Sequence, residues 1–360
     1  YGDEGEKLMY RFEDQGKRQV AMRYDQTVPL ARVVAQYKNE LPIPFKRYQI
    51  QPVWRADKPQ KGRYREFVQC DIDTVGVDSA LADAEIIATV ITAYRSLGFK
   101  NSKILINDRA IFANLPPQAI IVIDKLKKIG KEGVWDELVK KNLVGSLAEA
   151  KILLQELLDS QPTQRLVEIL KALESFGVNT DMVEFSPTLA RGLDYYTGLI
   201  FEVETPDYPY GSLCGGGRYN NLIGMFAGSD IPAVGMAVGF DRTLEAMKAL
   251  DLFPEEVTLS ATQVLVTIFE EEYKEKSLEI ATLLRAKDIP TEIYLGEIKA
   301  KNPLEKQLKY ANQKNIPYLI IIGADEIKTN TVMLKNMQTR EQKQVSPNEL
   351  FDITLSNSRL

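Results

Sequence analysis

The sequence predicts an α+β protein made of several domains. Its 360 residues exceed the usual size of one domain. Strand and helix patterns are mixed over residues 1–108 and 184–252, whereas helical patterns take over in 109–183. Strand and helix patterns alternate over 258–360, which is typical of a layered α/β domain with mostly parallel strands. We therefore expect a mixed core, a helical insertion and a separate C-terminal domain.

The elements of the core follow from periodicity, turns and caps. Alternating apolar residues predict strands, and apolar residues at helical spacing predict helices. A Gln-Gly-Lys turn at 15–17 separates the first two strands. Asp78 or Ser79 can cap the second helix, and Gly98 can end it. These signals predict strands at 7–14, 18–24, 45–55, 64–76 and 101–108, and helices at 27–38 and 78–98.

The remaining elements are predicted in the same way. Strands return after residue 182, the triple glycine at 215–217 is interpreted as a turn, and 232–250 is interpreted as a strand that runs into a helix. In the last region the predicted strands are 262–269, 290–295, 317–323 and 331–339, and the predicted helices are 277–288 and 302–315.

The composition excludes several classes of protein. The chain has no histidine, which excludes Ser-His-Asp and Cys-His hydrolases and zinc sites built on imidazole. Two cysteines, Cys70 and Cys214, cannot make a disulfide framework, which indicates a reducing, cytoplasmic environment. No apolar run is long enough to span a membrane, and the initial YGDEGEK is not a secretion signal. The net charge of −5 argues against a protein that coats nucleic acid over its whole surface.

The predicted hairpin at 45–69 has the densest chemical signal. Arginines at alternating strand positions can share a face and bind phosphate in a bidentate manner. Trp54 and Phe67 add rings on which a base can stack. This pattern favours a nucleotide site, and a solvated hairpin is the alternative. Against one acid, Asp57, the segment has seven basic residues: Lys46, Arg47, Arg55, Lys58, Lys61, Arg63 and Arg65.

Three further segments carry weaker signals. Arg191 lies close in sequence to Asp194 and two tyrosines, and a surface loop is the alternative reading. The triple glycine permits close ligand approach, but it lacks the spacing of a dinucleotide or phosphate loop, and a hairpin turn explains it equally. Arg242 begins a helix after the apolar strand GMAVGF (235–240), where it either flanks a buried sheet or is an ordinary surface residue.

Taken in order, the segments resemble a known family. Residues 45–76 resemble the second motif of the class II aminoacyl-tRNA synthetases, and AVGMAVGFDR (233–242) resembles the third. LARGLDYYTG (189–198) and RYDQT (23–27) are similar to the signature loop and the histidine-contacting segment of the histidyl-tRNA synthetases. The tail at 301–323 looks like their anticodon-binding domain. The resemblance covers essentially the whole chain.

This resemblance implies an antiparallel sheet flanked by helices, a helical insertion and an anticodon-binding domain. It implies ATP-dependent ligation of L-histidine to tRNA(His) through histidyl-adenylate, with release of AMP and pyrophosphate. Mg²⁺ is implied as the companion of ATP rather than as a caged metal, and a homodimer is implied as the assembly. The first class II motif, which builds the dimer interface, is not found in the sequence, so we expect an N-terminal segment to be missing.

The same resemblance assigns roles to twelve residues, and none of them is a histidine because placement and positive charge carry the chemistry. The implied catalytic residues are Arg191, by the histidine carboxylate, and Arg55, at the α-phosphate. The implied ATP-binding residues are Arg55, Asp57, Arg63, Phe67 and Arg242. The implied histidine-binding residues are Asp25, Thr27, Gln69, Asp73, Arg191, Tyr195 and Tyr196.

Alternative functions stay open at this point. The regulatory subunit of ATP phosphoribosyltransferase shares the core, but it usually lacks the C-terminal domain and loses the ATP-binding arginines. Synthetases for proline, threonine or glycine share the type of tail, but RGLDYY argues against them. Residues 301–340 carry an excess of positive charge that suits tRNA phosphates, and an ordinary amphipathic helix is the alternative.

Overall fold

The chain divides into two units, Tyr1–Leu252 and Phe253–Leu360. The computed structural model describes residues 2–191, 195–254, 260–296, 303–347 and 349–350. Among these residues, no helix has both the length and the apolar character needed to cross a membrane.

The first unit is built on a large mixed sheet with helices packed against it. Its strands are β1 (Arg11–Glu13), β2 (Gln19–Ala21), β3 (Phe45–Trp54), β4 (Glu66–Val75), β5 (Lys103–Asp108), β6 (Val183–Phe185), β7 (Leu199–Glu204), β8 (Cys214–Arg218) and β9 (Ala233–Gly239). Its helices are α1 (Gly2–Leu8), α2 (Thr27–Tyr37), α3 (Ala80–Ser96), α4 (Pro117–Ile123), α5 (Leu126–Lys140), α6 (Leu147–Leu158), α7 (Gln164–Ser175), α8 (Gly224–Ala227) and α9 (Phe240–Ala249).

Seven of these strands form one sheet in the order β3-β4-β9-β8-β7-β5-β6. β5 and β6 run parallel, and the other neighbours in this sheet run antiparallel. The hairpin β3–β4 is paired from Phe45 opposite Val75 to Trp54 opposite Glu66. β1 and β2 form a separate antiparallel pair. The expected antiparallel sheet flanked by helices is therefore confirmed.

Two local predictions in this unit are wrong. The triple glycine is not a turn, because Gly215, Gly216 and Gly217 lie inside β8 and pair with β7 and β9. The segment 7–14 is not one strand, because α1 extends to Leu8 and β1 begins only at Arg11.

The cap of α3 is Ser79, whose side chain accepts a hydrogen bond from the Ala82 amide. Asp78 instead pairs with Arg165 at 3.0 Å.

The segment 109–183 is helical through α4 to α7, as its apolar spacing predicts. Buried residues of α4, α5 and α6 share an apolar cluster with Leu105 of β5 and Ile200 of β7. Thr163, the N-cap of α7, also donates to Asp108 Oδ2 at 2.7 Å. These contacts join the helices to the sheet. That they form an insertion domain of their own stays a prediction.

The second unit is a layered α/β fold with a five-stranded sheet in the order β11-β10-β12-β13-β14. β10 pairs in parallel with β11 and β12, whereas β13 and β14 add antiparallel. The prediction of mostly parallel strands is therefore wrong for half of the sheet. The short helix α12 and strand β14 were not predicted. The elements are β10 (Val264–Val266), α10 (Lys274–Arg285), β11 (Thr291–Ile293), α11 (Pro303–Gln313), β12 (Tyr318–Ile321), α12 (Ala324–Thr329), β13 (Val332–Asn336) and β14 (Gln342–Val345).

Candidate active site

A cavity of about 280 Å³ lies in the first unit, bordered by β4, β8, β9 and the start of α9. Side chains alternate along a strand, so Phe67, Gln69 and Asp73 share one face of β4 and line the cavity together. Asp194, which the sequence grouped with Arg191, lies outside the described residues. The structure brings all of the sequence-predicted site residues to this one cavity: Asp25, Thr27, Arg55, Asp57, Arg63, Phe67, Gln69, Asp73, Arg191, Tyr195, Tyr196 and Arg242.

Arg55 is fixed beside two aromatic rings. Its guanidinium carbon lies 4.5 Å from the centroid of the Tyr24 ring and 5.2 Å from that of Phe67. Its Nε donates to the Tyr24 carbonyl at 3.0 Å, and Nη2 donates to Gln69 Oε1 at 3.4 Å. A permanently charged, planar group held next to an aromatic face suits a phosphate that is joined to a base.

Arg191 is held by the backbone of a neighbouring strand. Its Nη1 donates to the Phe201 carbonyl at 3.1 Å and lies 3.8 Å from Glu202 Oε1. Burial lowers the pKa of the Arg191 guanidinium, but the nearby Tyr196 and Glu202 raise it more, so the pKa lies above its ordinary value. Nε of Arg191 is buried and has no hydrogen-bond partner among the described residues. Arg191 is therefore a fixed cation with a donor to spare, which suits developing negative charge.

The position of Arg191 depends on a glycine of β8. A Cβ added at Gly215 would lie 1.5 Å from Arg191 Nη1, far inside van der Waals contact. We expect the Gly215→Ala variant to displace the guanidinium and to slow the reaction at this site by about tenfold or more. The measurement is amino-acid-dependent ATP–pyrophosphate exchange, with the melting temperature recorded in parallel.

Gly198→Ala is the matched control for that variant. A Cβ at Gly198 would meet the Arg218 side chain at 3.5 Å, which is ordinary contact. This variant should keep near wild-type exchange. If Gly215→Ala were as active as Gly198→Ala, the steric argument for Arg191 would be wrong.

Arg63 and Arg242 form a second cationic group. Arg242 Nε donates to the Gly62 carbonyl at 2.9 Å, and Nη1 donates to the Ser212 carbonyl at 2.7 Å. Burial lowers the pKa of Arg242, and the like charge of Arg63 lowers it further. Arg63 Nε lies 3.3 Å from Asp57 Oδ2. Both guanidinium groups line the cavity, and together they favour an anion with several charges, such as a polyphosphate.

An acidic group lies at β4 and the start of α2. Asp25 is buried, and its Oδ1 accepts from the Val28 amide at 3.3 Å in the first turn of α2. Asp73 accepts a hydrogen bond from Tyr219 Oη, and its Oδ2 lies 2.9 Å from Arg47 Nη2. Burial raises the pKa of Asp73, while Arg47 and the Tyr219 hydroxyl lower it. These contacts favour a carboxylate at Asp73 that can accept from a cation or an N–H group.

Asp71 shares that face of β4 but has a different environment. Its Oδ2 lies 4.0 Å from Arg47 Nη2, and its Oδ1 has no hydrogen-bond partner among the described residues. Burial raises the pKa of Asp71 well above its ordinary value, and the charge of Asp73 raises it further. The two aspartates therefore differ in degree, because Arg47 lies closer to Asp73 than to Asp71.

Three tyrosines pack beside the acidic group. The ring centroids of Tyr195 and Tyr196 lie 4.7 Å apart, and those of Tyr195 and Tyr219 lie 6.0 Å apart with an edge-on geometry. Burial raises the pKa of all three hydroxyls, so they are neutral at neutral pH. They offer aromatic surface together with hydrogen-bonding groups, which suits a small polar ring.

Sequence reasoning missed part of this site. Arg47 and Lys46 were counted among the seven basic residues of the hairpin, but neither lines the cavity. Arg47 lies in the buried ion pair with Asp73, and Lys46 pairs with Glu85 at 2.6 Å. The lining residues that the sequence analysis missed include Tyr24, Tyr64, Tyr219 and Asp241. Each of them lies within, or directly beside, a segment that the sequence analysis singled out, and this position in the sequence was the signal that could have found them.

The fold and the site define a class II aminoacyl-tRNA synthetase core: an antiparallel sheet whose hairpin and last strand–helix junction bring arginines to one cavity. A family model described as histidyl-tRNA synthetase matches residues 1–152 and 122–243, and one described as anticodon binding domain matches 263–357. The chain belongs to the histidyl-tRNA synthetase family, which confirms the resemblance seen in its motifs.

Individual relatives agree with this assignment. The chain is 39% identical to the histidine–tRNA ligase of Cytophaga hutchinsonii, over 97% of this chain and 87% of that protein. The identity to the histidine–tRNA ligase of Bacteroides fragilis is also 39%, over 98% and 87%. Among solved structures, histidyl-tRNA synthetase from a Nostoc species has a TM-score of 0.79 and 27% identity, and the match covers 97% of this chain and 86% of that one.

A further solved structure bears on the alternative function. It is described as an ATP phosphoribosyltransferase regulatory subunit/histidyl-tRNA synthetase from Bacillus halodurans. Its TM-score is 0.65 at 25% identity, and the match covers 84% of this chain and 81% of that one.

Proposed function

We propose that this chain ligates L-histidine to tRNA(His), using ATP and passing through histidyl-adenylate, with release of AMP and pyrophosphate. One observation carries the proposal: a single cavity holds the fixed cation Arg191 together with Arg63, Arg242 and a buried acidic group. This combination suits a substrate with an ammonium and a carboxylate beside a nucleoside triphosphate. The relatives named histidine–tRNA ligase support the same activity.

We infer that charge stabilisation by Arg191 and Arg55 drives the first step. The histidine carboxylate attacks the α-phosphorus of ATP, a P–O bond to that carboxylate forms, and the bond to pyrophosphate breaks. Negative charge grows on the α-phosphoryl oxygens as this happens. Guanidinium groups already fixed by Phe201 O and Tyr24 O stabilise that charge without reorganising. The nucleophile belongs to the substrate, so the protein needs no general base.

ATP is proposed to bind along the β3–β4 hairpin. Phe67 would stack on adenine with Asp57 near its amino group, while Arg55 would hold the α-phosphate. Arg63 and Arg242 would hold the terminal phosphates. Burial lowers the pKa of Arg242 and the like charge of Arg63 lowers it further, and a bound polyanion would relieve that repulsion.

Histidine is proposed to bind at the acidic group. Asp25 and Thr27 would take its ammonium, with Gln69 nearby, and Arg191 would lie at its carboxylate. Asp73, Tyr195 and Tyr196 would bind the imidazole, whose ring nitrogens need polar partners. A pocket of this kind discriminates strongly against analogues that leave its buried polar groups unpaired.

Mg²⁺ is proposed to enter with ATP. Within the described ranges, no group of three or more acidic or cysteine side chains is arranged to hold a metal ion. The donor set therefore fits a cation that is bound mainly by phosphate oxygens and water. It would offset phosphate charge during the attack.

The remaining partners are proposals as well. Contact with tRNA is supported by the match of 263–357 to the anticodon binding domain. From the resemblance to the family, we also propose that the helices of 109–183 close over the acceptor end of the tRNA. A homodimer is supported by β3, an edge strand of the sheet on which Tyr48 is 79% and Ile50 is 59% exposed. Light scattering tests the dimer directly.

A cytoplasmic location is supported by two free cysteines.

The ligase is favoured over a regulatory subunit by two observations. The C-terminal unit is present and matches the anticodon binding domain. The four arginines expected to hold ATP and the reacting groups all line the cavity, which a protein that only binds histidine does not need: Arg55, Arg63, Arg191 and Arg242.

The deciding experiment is ATP–pyrophosphate exchange with each of the twenty amino acids at saturating Mg²⁺. Exchange with histidine alone, followed by transfer of labelled histidine to tRNA(His), is the expected result. Histidine binding without exchange would reject the ligase and favour the regulatory function. Exchange with another amino acid would reject the assignment of histidine.

A further inference from the structure

One carboxylate joins two loops that border the cavity. Glu245, in α9, accepts hydrogen bonds from Tyr64 Oη and from Tyr208 Oη, the latter at 2.9 Å. Tyr64 lies in the β3–β4 loop (residues 55–65), and Tyr208 lies in the β7–β8 loop (residues 205–213). We refer to Glu245, Tyr64 and Tyr208 as the Glu245 clasp.

Other contacts tie the same two loops together. Lys61 Nζ lies 5.6 Å from the ring centroid of Tyr208 and 4.4 Å from that of Tyr210. Arg242, three residues before Glu245 in α9, donates to the carbonyls of Gly62 and Ser212, one on each loop. The start of α9 therefore binds both loops, through a cation at one position and an anion at the next turn.

The chemistry of the clasp favours a stable arrangement. Tyr208 is 1% exposed, so its hydroxyl needs a partner, and the Glu245 carboxylate supplies one. Burial and this hydrogen bond raise the pKa of Tyr208 to about 12, whereas the bond from Tyr64 lowers the pKa of Glu245. At neutral pH the clasp therefore consists of two neutral donors on one charged acceptor, which is the stronger kind of hydrogen bond.

We propose that Glu245 is a positioning residue for ATP, because the clasp holds the β3–β4 loop with Arg63 at the same cavity as Arg242 before the nucleotide binds. The proposal rests on the proposed function, which assigns the terminal phosphates to these two arginines. Tyr64 is the direct neighbour of Arg63 in the chain, so anchoring one fixes the other. Without the clasp, the two like charges push the loop away, and ATP has to order it on binding.

The clasp acts on one substrate and not on the other. The residues assigned to histidine lie just before and at the start of α2, on β4, and at 191 and 195–196, and none of them belongs to the two loops. Glu245 is only partly buried and Tyr64 is 41% exposed, so their removal leaves the core of the unit intact. Loss of the clasp should therefore weaken ATP binding selectively.

The experiment compares five full-length proteins by calorimetric titration with MgATP and, separately, with histidine. Glu245→Ala and Tyr64→Phe should each raise the Kd for ATP by about tenfold and leave the Kd for histidine unchanged. The double variant should be no weaker than Glu245→Ala alone, because both changes break one clasp. Lys248→Ala, on the exposed side of the same helix, should match the wild type.

Two further readouts separate a positioning role from a structural one. Glu245→Gln keeps one carbonyl acceptor and should restore part of the ATP affinity. Limited trypsin digestion should cut the β3–β4 loop faster in Tyr64→Phe than in the wild type, at an unchanged melting temperature, because this variant keeps the bond from Tyr208 to Glu245. The cleavage sites are Lys61, Arg63 and Arg65, since Lys58 is followed by Pro59 and is not cut.

The outcomes are distinct for the two proposals. An unchanged ATP Kd in Glu245→Ala and Tyr64→Phe overturns the positioning role, and so does an equal loss of histidine affinity. A wild type that binds ATP but catalyses no exchange with any amino acid overturns the ligase, while the comparison of ATP affinities still decides on the clasp.

Discussion

Replacing Arg191 with methionine should slow histidine-dependent pyrophosphate exchange by about a hundred- to a thousandfold. The guanidinium is already bonded to Phe201 O and lies near Glu202, so it meets the transition state without reorganising. Its raised pKa keeps it charged at every accessible pH, so the loss should not depend on pH. Steady-state exchange from pH 6 to pH 9 measures both points.

Two further variants test whether that loss of rate is specific to the guanidinium of Arg191. Arg191→Lys keeps the charge but not the planar fork, and should recover only part of the rate. Arg95→Met removes an exposed arginine at the end of α3, bonded to the Asn179 carbonyl at 3.3 Å, and should leave exchange unchanged. Exchange in Arg191→Met above about a tenth of the wild-type rate would falsify a central role for this residue.

The Asp73→Asn variant should raise the KM for histidine by about a hundredfold, whereas Asp71→Asn should leave it unchanged. The two side chains lie two residues apart on one strand and share the neighbour Arg47. Burial raises the pKa of Asp73, and Arg47 and Tyr219 oppose that rise and favour the carboxylate, so an amide removes a charged acceptor. Burial raises the pKa of Asp71 well above its ordinary value and favours the neutral form, which an amide resembles closely.

The same pair predicts opposite responses to pH. Burial raises the folded-state pKa of Asp71 above its unfolded value, so the folded protein loses stability as the pH rises through that interval. Asp71→Asn removes that loss and should be the more stable protein at neutral pH. Arg47→Met leaves Asp73 without its cation, raises its pKa further, and should shift histidine binding towards higher pH.

Denaturant unfolding and histidine KM, measured for both asparagine variants, test these statements together. Tyr219→Phe is a milder check on Asp73, because it removes a single hydrogen bond and keeps the ring. If Asp71→Asn weakened histidine binding as much as Asp73→Asn, the division of roles between the two aspartates would be wrong.

Much of the fold and of the cavity could be predicted, because the motifs here are local in sequence. The hairpin 45–76 contributes Arg55, Arg63 and Phe67 within one supersecondary unit, so its spacing carries the geometry. The helices α2, α3 and α9 follow from periodicity and caps, and their bounds differ from prediction by a few residues at most.

What could not be predicted depends on partners distant in sequence. Arg47 pairs with Asp73, which is 26 positions away, and no local pattern distinguishes this from a phosphate-binding arginine. Strand propensity does not predict β8, because glycine by itself weakens a strand. Only the packing of Arg191, Tyr196 and the carbonyl of Leu199 against it shows why side chains are excluded there.

That glycine strand also constrains how the cavity can diverge. Where side chains line a pocket, single substitutions can change its size or its polarity in small steps. At Gly215 the wall is main chain, and a Cβ added there or at Gly217 behind it collides with the groups that occupy the space. Selectivity at this wall therefore cannot be tuned by gradual substitution. A sequence that evolves from this one is therefore expected either to keep glycine at these positions or to lose the arrangement of groups in the cavity.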